Sequence, residues 1–359
     1  APIVSRSRPV TSMALALATL ALGAGRSLSV VSWNILAPTF APPSRYPWVA
    51  PATLAWPKRE AAIVATLGRL DADVVCLQEV EVALWDGLLR RFTSLGYSGV
   101  LQETQRQHPI ANAVLFRRAA LRCTQTESRS RALIAVLESL DAADSAAPLH
   151  VASVHLEAGA EKASQRFCQL RSLLRRLTLL QQRDEKERSG PPAVLIAGDF
   201  NFDRRSALHQ LLCTGSLPPH ERGSSAYGES VPLVRAGSAP YQSPLLPLRD
   251  AYRDGSPPWG PQLRASFRNG RVLDFVWHSA ALHCLRPMPV CAEAGSPQPK
   301  AMPSETHPSD HLPVGALFSW PGAPGCRAEA PSWQQLYVEN VIQSRPASRP
   351  ASRASPGRR

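Results

Sequence analysis

The 359-residue chain has no Cys-x-x-Cys pair, and its seven cysteines are odd in number and irregularly spaced. Zinc sites and disulfide frameworks both rely on recurrent cysteine spacings. The sequence therefore argues against either and fits free thiols in a reducing compartment. Long apolar runs are missing as well. The apolar stretch 13–24 is too short to cross a bilayer, so we expect no stable membrane insertion.

Lysine is also scarce, because only four of the 40 basic residues are lysine and the others are arginine. The net charge is +12 at pH 7. A basic surface favours polyanionic partners such as RNA or phosphorylated nucleotides. Genomic composition would give the same arginine content, and much of it lies in the C-terminal tail. The charge alone therefore does not decide the function.

The composition divides the chain into one large domain and two flanking segments. Residues 1–27 carry no acid and form a leader, which is either a targeting segment or an unordered extension. Residues 28–320 form one domain with a Pro-, Ser- and Gly-rich loop insertion at 214–247. Residues 321–359 are predicted to be a disordered basic tail. The leader leaves the compartment open between the cytoplasm and an organelle (mitochondrion or plastid), and we expect a monomer.

Hydrophobic periodicity predicts more strands than helices, with few helices between consecutive strands. The predicted helices cover 56–70, 80–95 and 162–182, and the predicted strands cover 28–33, 73–77, 113–116, 133–137, 150–155, 193–197, 272–277 and 312–318. The strands 113–116 and 133–137 look like a pair. This pattern favours an α+β fold, with two packed sheets flanked by helices, over a doubly wound sheet.

Five short polar signatures each lie at one end of an apolar run. They are Trp33-Asn34, Gln78-Glu79, His155, Gly198-Asp199-Phe200-Asn201 and Ser309-Asp310-His311. Together they bring carboxylates, carboxamides and imidazoles to the ends of several strands. A metal-assisted phosphoester hydrolase needs these groups.

Asp199 and Asn201 follow the apolar run 194–197, and Gly198 permits a sharp exit from it. Residues two apart on an extended backbone face the same side, so both side chains can reach one site. An aspartate there can accept a proton from an attacking water, and the carboxamide can donate to a phosphate oxygen. A polar turn after a strand would have the same sequence.

Glu79 and Asn34 also end strands. Glu79 is a candidate oxygen ligand for Mg²⁺, which prefers one or two carboxylates together with water and phosphate. Asn34 can hold a water at the ion or orient Glu79. Glu79 equally fits the first turn of a helix, and Asn34 equally fits a turn or helix cap.

The two histidines have different predicted settings. His155 at the end of a strand can stabilise a phosphoryl transition state as an imidazolium, although a lone histidine also fits a structural role. His311 can act as a base or an electrostatic clamp if a carboxylate orients it. Asp274, an acid among apolar neighbours, is the candidate for that role. Trp33 and Phe200 are predicted to be core residues, and Tyr46 and Trp48 are candidates to stack on a base.

Longer motifs surround these residues. They are Ser32-Trp33-Asn34-Ile35-Leu36-Ala37, Trp56-Pro57-Lys58-Arg59, residues 72–80, Val154-His155-Leu156, Arg166 with Gln169, Gly198-Asp199-Phe200-Asn201, Leu273-Asp274-Phe275-Val276 and Pro308-Ser309-Asp310-His311-Leu312-Pro313. Over residues 28–320 the chain resembles the endonuclease/exonuclease/phosphatase superfamily, typified by deoxyribonuclease I. Within that superfamily it looks most similar to the carbon-catabolite-repressor-type deadenylases, nocturnin, angel and 2′,5′-phosphodiesterase.

The resemblance implies a four-layer α/β/β/α sandwich of two mainly antiparallel sheets. It implies Mg²⁺ or Mn²⁺ held chiefly by Glu79, with Asn34 and Asp310 nearby. It assigns the remaining roles as follows: Asp199 activates water, Asn201 binds phosphate, His155 and His311 stabilise the transition state, Asp274 orients His311, and Asn112 and Arg166 bind substrate.

Four departures qualify the resemblance. Ala111 stands where the family strand usually begins with glycine, and residues 157–161 look nearer to nocturnin than to the deadenylases. Residues 1–27 contain no leucine-rich repeat, and the inositol-phosphatase signature is absent. The main expectation is a divalent-metal phosphodiester hydrolase acting as a 3′–5′ RNA exonuclease. The alternatives are a phosphatase of a small phosphorylated nucleotide and an inactive binding module.

Overall fold

The computed structural model describes residues 27–104, 108–140, 147–188, 191–219, 233–234, 237–245, 247–254, 263, 265–290 and 302–320. The leader up to residue 26, the tail 321–359 and much of the insertion 214–247 lie outside these residues. The predictions for those segments therefore stay predictions.

Strands contain more of the described residues than helices do. The strands are β1 (Ser27–Asn34), β2 (Val74–Glu81), β3 (Tyr97–Leu101), β4 (Ile110–Arg117), β5 (Leu121–Arg129), β6 (Ala132–Ser139), β7 (Leu149–His155), β8 (Ala193–Asp199), β9 (Ser216–Leu217), β10 (Tyr241–Gln242), β11 (Arg249–Asp250), β12 (Asp274–His278), β13 (His283–Pro287) and β14 (Val314–Ser319). The short strands β9 and β10 pair within the predicted loop insertion.

The other strands form two six-stranded sheets. The first has the order β13-β14-β1-β2-β4-β3 and the second the order β11-β12-β8-β7-β6-β5. Each sheet contains one parallel pair, β1 with β2 and β7 with β8, and all other neighbours are antiparallel. The predicted α+β fold with two mainly antiparallel sheets is confirmed.

Strand alternation builds two cores. Val30 belongs to the core between the sheets, whereas the next residue, Val31, belongs to the core under the helices of the first sheet. Residues on both faces of a strand are therefore apolar, because each sheet is covered on both faces. This makes the apolar runs in the strand sequences nearly continuous. The core between the sheets continues through the second sheet to the leucines of the helix 163–187, so the layers are helices, first sheet, second sheet and helices.

The longer helices are α1 (Trp56–Leu70), α2 (Trp85–Ser94), α3 (Ala163–Glu187) and α4 (Ala207–Thr214), and one-turn helices cover Pro51–Leu54 and Ala251–Asp254. Helix α1 buries Ile63, Val64 and Leu67 against the first sheet. Helix α3 buries a leucine stripe against the second sheet, as its 3.6-residue period predicts. None of the helices in the described part of the chain combines the length and apolarity that a bilayer span needs.

Two local predictions were wrong. The helix predicted at 80–95 begins only at Trp85, because β2 continues to Glu81 by pairing with β4. The predicted strands 113–116 and 133–137 do not pair, because β4 lies in the first sheet and β6 in the second. Both segments are apolar runs, and periodicity alone does not specify a pairing partner. The sequence-based assignment also omits β3, β5 and β13.

Candidate active site

Three adjacent strands of the second sheet meet at one edge, where β7 and β8 end and β12 begins. Strand β8 lies between β7 and β12, and the register places Asp199 opposite His155 on one side and Asp274 on the other. Residues in register on neighbouring strands lie about 5 Å apart. The pairing therefore brings together three predicted site residues that are far apart in sequence.

Gly198 makes this close pairing possible. A Cβ atom at this position would lie 1.9 Å from the Val154 carbonyl oxygen, and the glycine has φ of 154°. No other residue fits without moving β7 away from β8. The glycine before Asp199 therefore sets the separation between Asp199 and His155.

The first sheet contributes Asn34 and Glu79 to the same edge. Strand β2 has a bulge between Leu77 and Val80, and Glu79 adopts φ of 58° there. The bulge lets Gln78 turn inward, where its Nε2 donates to Ser153 Oγ across the sandwich at 3.1 Å. A bulge changes the direction of the neighbouring side chain, and here it directs the Glu79 carboxylate towards the site.

Glu79 is held by two donors. Asn34 Nδ2 donates to Oε1 at 3.0 Å, and the Ala37 backbone N–H donates to Oε2 at 3.0 Å. Burial raises the pKa of the Glu79 carboxyl, while the Asn34 hydrogen bond opposes the rise. The same Asn34 Nδ2 donates to Asp199 Oδ2 at 3.1 Å. Asn34 therefore contacts both carboxylates; a contact with Glu79 was expected, and the one with Asp199 was not.

Asp199 occupies the centre of the site. Its Oδ2 lies 3.8 Å from His155 Nε2 and 3.6 Å from His311 Nε2, and its Oδ1 accepts from the Asn201 backbone N–H at 2.9 Å. Burial raises the pKa of the Asp199 carboxyl, and the charge of His311 opposes the rise. A carboxylate of raised pKa is a better proton acceptor than an exposed aspartate.

His311 and Asp274 form the predicted pair. His311 Nδ1 lies 2.8 Å from Asp274 Oδ2. Burial by itself would lower the pKa of His311, but the charges of Asp274 and Asp199 outweigh it and raise the pKa to about 10. His311 is therefore an imidazolium at neutral pH, which fits an electrostatic clamp rather than a base.

Replacing Asp274 by asparagine should lower the pKa of His311 by about three units, because the largest favourable charge is removed. Activity should fall about tenfold at pH 8 and much less at pH 6, where most of His311 stays protonated in both proteins. NMR titration of the metal-free protein reads the pKa directly. An unchanged His311 titration would contradict the pairing.

His155 differs from the prediction in its charge. Its Nε2 lies 3.8 Å from Glu79 Oε1 as well as from Asp199 Oδ2. Burial lowers the pKa of His155 and outweighs the effect of Asp199. His155 therefore stands as a neutral imidazole in the free site. It can still donate one N–H to a phosphate oxygen.

Supporting contacts hold the loop that carries Asp310 and His311. Arg59 is fully buried, and its Nη1 donates to the carbonyls of Ile35, Leu36 and Pro308 at 3.1, 2.8 and 3.0 Å. Burial lowers the pKa of Arg59 to about 10. Trp33 Nε1 donates to the His311 carbonyl at 2.8 Å. This role of Arg59 was not predicted, although Arg59 belongs to the motif Trp56-Pro57-Lys58-Arg59.

Asp310 has an aromatic partner. Tyr46 is buried, and its hydroxyl donates to Asp310 Oδ2 at 2.8 Å. Burial raises the pKa of Tyr46 well above its usual range. Tyr46 is therefore a positioning residue rather than a surface for base stacking. Trp33 and Phe200 lie in the core as predicted.

The donor set fits a divalent cation. Asp199, Asp274 and His311 bring ligand atoms within 4.8 Å of one another. His311 and Asp274 are hydrogen-bonded to each other, however, so we regard them as a clamp rather than as ligands. Glu79, Asp199, Asp274 and Asp310 are four carboxylates facing the single imidazolium of His311. A bound cation would balance the excess negative charge.

The predicted substrate-binding residues lie to one side of this centre. Asn112 and His155 line a cavity of about 370 Å³ together with Gln102, His108 and Arg129. Asn112 Nδ2 donates to Gln102 Oε1 at 2.7 Å, while Asn112 Oδ1 finds no donor among the described residues. An unpaired buried acceptor is costly and suits a hydrogen-bond donor on a ligand.

The side chains of Arg166 and Asn201 already form hydrogen bonds within the protein. Arg166 is buried, and its Nη1 donates to the carbonyls of Glu157 and Gly159. Asn201 Nδ2 donates to the Leu156 carbonyl at 2.9 Å. Both side chains thus support the loop after His155. Their predicted contacts with substrate and phosphate stay predictions.

The chain belongs to the Endonuclease/Exonuclease/phosphatase family, whose model matches residues 31–311. It is therefore a member of a family of phosphoester-hydrolysing nucleases and phosphatases, and the resemblance found in the sequence is confirmed.

Similar proteins fall in the expected group. Carbon catabolite repressor protein 4 homolog 4 of Arabidopsis thaliana is 26% identical over 346 residues, which cover 82% of this chain and 78% of that protein. Nocturnin of Xenopus laevis is 26% identical over 323 residues, which cover 82% and 73%.

Solved structures show the same fold. ANGEL2, a 2′,3′-cyclic phosphatase in complex with adenosine-2′,3′-vanadate, superposes with a TM-score of 0.67 at 21% identity, covering 83% of this chain and 96% of that one. The human Nocturnin catalytic domain gives a TM-score of 0.56 at 20% identity, covering 82% and 94%.

Proposed function

We propose that the protein is a Mg²⁺-dependent hydrolase of phosphodiesters in RNA and acts as a 3′–5′ exonuclease. The observation that carries this proposal is the placement of Asp199 Oδ2 between the Nε2 atoms of His155 and His311, at 3.8 and 3.6 Å, next to the buried Glu79. A proton acceptor, two donors for phosphate oxygens and a cation-binding carboxylate share one edge of the fold.

The side chains divide the work. Asp199 accepts the proton of the attacking water, and burial strengthens it as a base. The imidazolium of His311 and the neutral N–H of His155 stabilise the negative charge that develops on the phosphate oxygens. Asp274 keeps His311 protonated and fixes its ring. Asn34 keeps Glu79 and Asp199 facing one another.

Glu79 is the principal candidate to hold Mg²⁺ or Mn²⁺, with Asp310 nearby. When bound, such an ion supplies Lewis-acid polarisation of the phosphate and lowers the pKa of water. The protein's own contribution is a pre-arranged cluster of carboxylates whose repulsion the ion relieves. This support comes from charge and burial, and the identity of the ion belongs to the proposal.

A second candidate is phosphatase activity on a small phosphorylated nucleotide. The cavity of about 370 Å³ beside His155 favours it, because a cleft of this size suits a single nucleotide. The likeness to nocturnin and to a 2′,3′-cyclic phosphatase points the same way. The catalytic edge would serve both reactions.

The test is a substrate panel with and without EDTA. Oligo(A) RNA labelled at the 5′ end, the matching DNA, a 2′-phosphorylated dinucleotide and an adenosine 2′,3′-cyclic phosphate are incubated with the purified protein and Mg²⁺. We expect 5′-labelled RNA shortened by single nucleotides and no product with EDTA. Turnover of only the small phosphates would support the second candidate. No turnover of any phosphoester would contradict both.

A further inference from the structure

An aromatic and cationic surface borders the catalytic edge on the His311 side. It consists of Trp48, Phe267 and Arg268, which we call the Trp48 platform, with Tyr46 beneath it. Trp48 is 47% exposed, and it is the only aromatic among the exposed large hydrophobic side chains of the described residues. An exposed indole that lies beside a second aromatic ring and an arginine offers a face on which a base can stack.

Arg268 holds the platform together. Its guanidinium carbon lies 5.2 Å from the Trp48 ring, 5.4 Å from the Tyr46 ring and 5.7 Å from the Phe267 ring. Tyr46 and Trp48 meet edge to face at 5.7 Å. Such cation–π contacts restrict both the arginine and the indole. The rings and the charge are therefore in place before a ligand arrives.

The platform is joined directly to the candidate catalytic loop. The Arg268 backbone N–H donates to the Asp310 carbonyl at 2.9 Å, and the Phe267 ring lies 4.7 Å from the His311 ring. Arg268 Nε is 3.8 Å from Asp310 Oδ2 and finds no hydrogen-bond acceptor among the described residues. The Nε atom is buried against Asp310, whereas the side chain as a whole is 29% exposed, so the outer end of the guanidinium is accessible to an acceptor on a ligand.

The platform and the cavity lie on different sides of the reacting centre. The cavity is lined by His155, whereas the platform contacts His311, and Asp199 lies between the two imidazoles. A phosphate bound near Asp199 can therefore carry one group into the cavity and another over Trp48. A single small nucleotide would occupy only the cavity or only the Trp48 platform, whereas a strand can occupy both.

We propose that the Trp48 platform binds one nucleotide of single-stranded RNA next to the scissile phosphate, with the base stacked on the exposed face of Trp48 and the neighbouring phosphate bound by Arg268. This inference rests on the proposed function and specifies its substrate as a strand. Stacking on an indole tolerates every base, because each has a π-face. Arginine beside the indole adds attraction for the polyanion.

Three substitutions at one position separate stacking from simple burial. Trp48→Phe keeps an aromatic face, Trp48→Leu keeps only apolarity, and Trp48→Ala removes both. On oligo(A) we expect Trp48→Ala and Trp48→Leu to lower kcat/KM about tenfold or more, mainly through KM, and Trp48→Phe to lower it about threefold or less. Leu179→Ala removes an equally exposed side chain on α3 and is the matched control; its kcat/KM should equal the parent's.

A series of modified substrates tests whether Trp48 contacts a base. The parent and Trp48→Ala are compared on oligo(A) strands with a single abasic nucleotide at successive positions. At one position next to the cleaved bond the abasic strand should slow the parent as much as Trp48→Ala does, and the two changes together should cost no more than either alone. On bis(p-nitrophenyl) phosphate, which has no base, the loss in Trp48→Ala should be several-fold smaller.

The outcomes are distinct. Equal kcat/KM of Trp48→Ala and the parent on every strand would overturn the platform while leaving the proposed function intact. An equal loss on base-free and base-bearing substrates would also overturn it, because Trp48 would then act through Tyr46 and Asp310. If the parent hydrolyses the 2′-phosphorylated dinucleotide but no RNA strand, the proposed exonuclease function itself is wrong.

Discussion

Replacing Asp199 by asparagine is expected to lower kcat about a thousandfold with little change in KM. Asparagine keeps the shape and one acceptor oxygen but accepts no proton, so the attacking water loses its base. The hydrogen bond from the Asn201 backbone to Oδ1 can persist, and β8 should stay in register. The measurement is single-turnover cleavage of a 5′-labelled oligo(A) at saturating Mg²⁺.

Asp203 offers a matched control four residues along the chain. Its carboxylate pairs with Arg205 and Arg271 near the surface, each at 3.5 Å. Asp203→Asn makes the same chemical change outside the cluster and should retain activity within about twofold. If Asp199→Asn cleaves at the rate of Asp203→Asn, Asp199 is not the base.

Replacing Glu79 by glutamine is expected to lower activity at least about a hundredfold and to abolish stabilisation by Mn²⁺. The change removes the carboxylate charge, while the amide oxygen can still accept from Asn34. A ligand that binds only the folded state raises the melting temperature according to its concentration and affinity. The parent should therefore gain thermal stability on addition of Mn²⁺, and Glu79→Gln should gain none.

Glu60→Gln is the corresponding control. Glu60 lies on helix α1, where its carboxylate is 3.6 Å from Arg91. This variant should keep both the activity and the Mn²⁺-dependent rise in melting temperature. If Mn²⁺ raises the melting temperature of Glu79→Gln as much as that of the parent, Glu79 does not bind the metal. If Glu79→Gln is fully active although Mn²⁺ does not stabilise it, the metal is not needed for the reaction.

The sequence allows the convergence of several candidate site residues to be anticipated, because these polar residues interrupt apolar runs. Asp199 follows a continuous apolar strand, and Asp274 is a charge among apolar residues; neither is stable there without a partner. The carboxyl ends of β7 and β8 must meet at one edge because the two strands are parallel. The convergence of His155 and Asp199 could therefore be anticipated.

Other features depended on contacts that local patterns do not contain. Glu79 resembles the start of a helix, but pairing of β2 with β4 extends the strand through it and places the bulge. Arg59 and Tyr46 support the site through contacts with segments more than 200 residues away. Burial makes His155 neutral, whereas the charges of Asp274 and Asp199 keep His311 protonated, and both effects exist only in the folded chain.

The most direct test of the common site is an anomalous difference map from crystals soaked in Mn²⁺. We expect one strong peak about 2.1 Å from a Glu79 carboxylate oxygen, on the side facing Asp199, and no such peak in Glu79→Gln crystals. A peak that persists in the variant, or parent crystals with Mn²⁺ bound only away from Glu79, would show that these side chains do not share one ion.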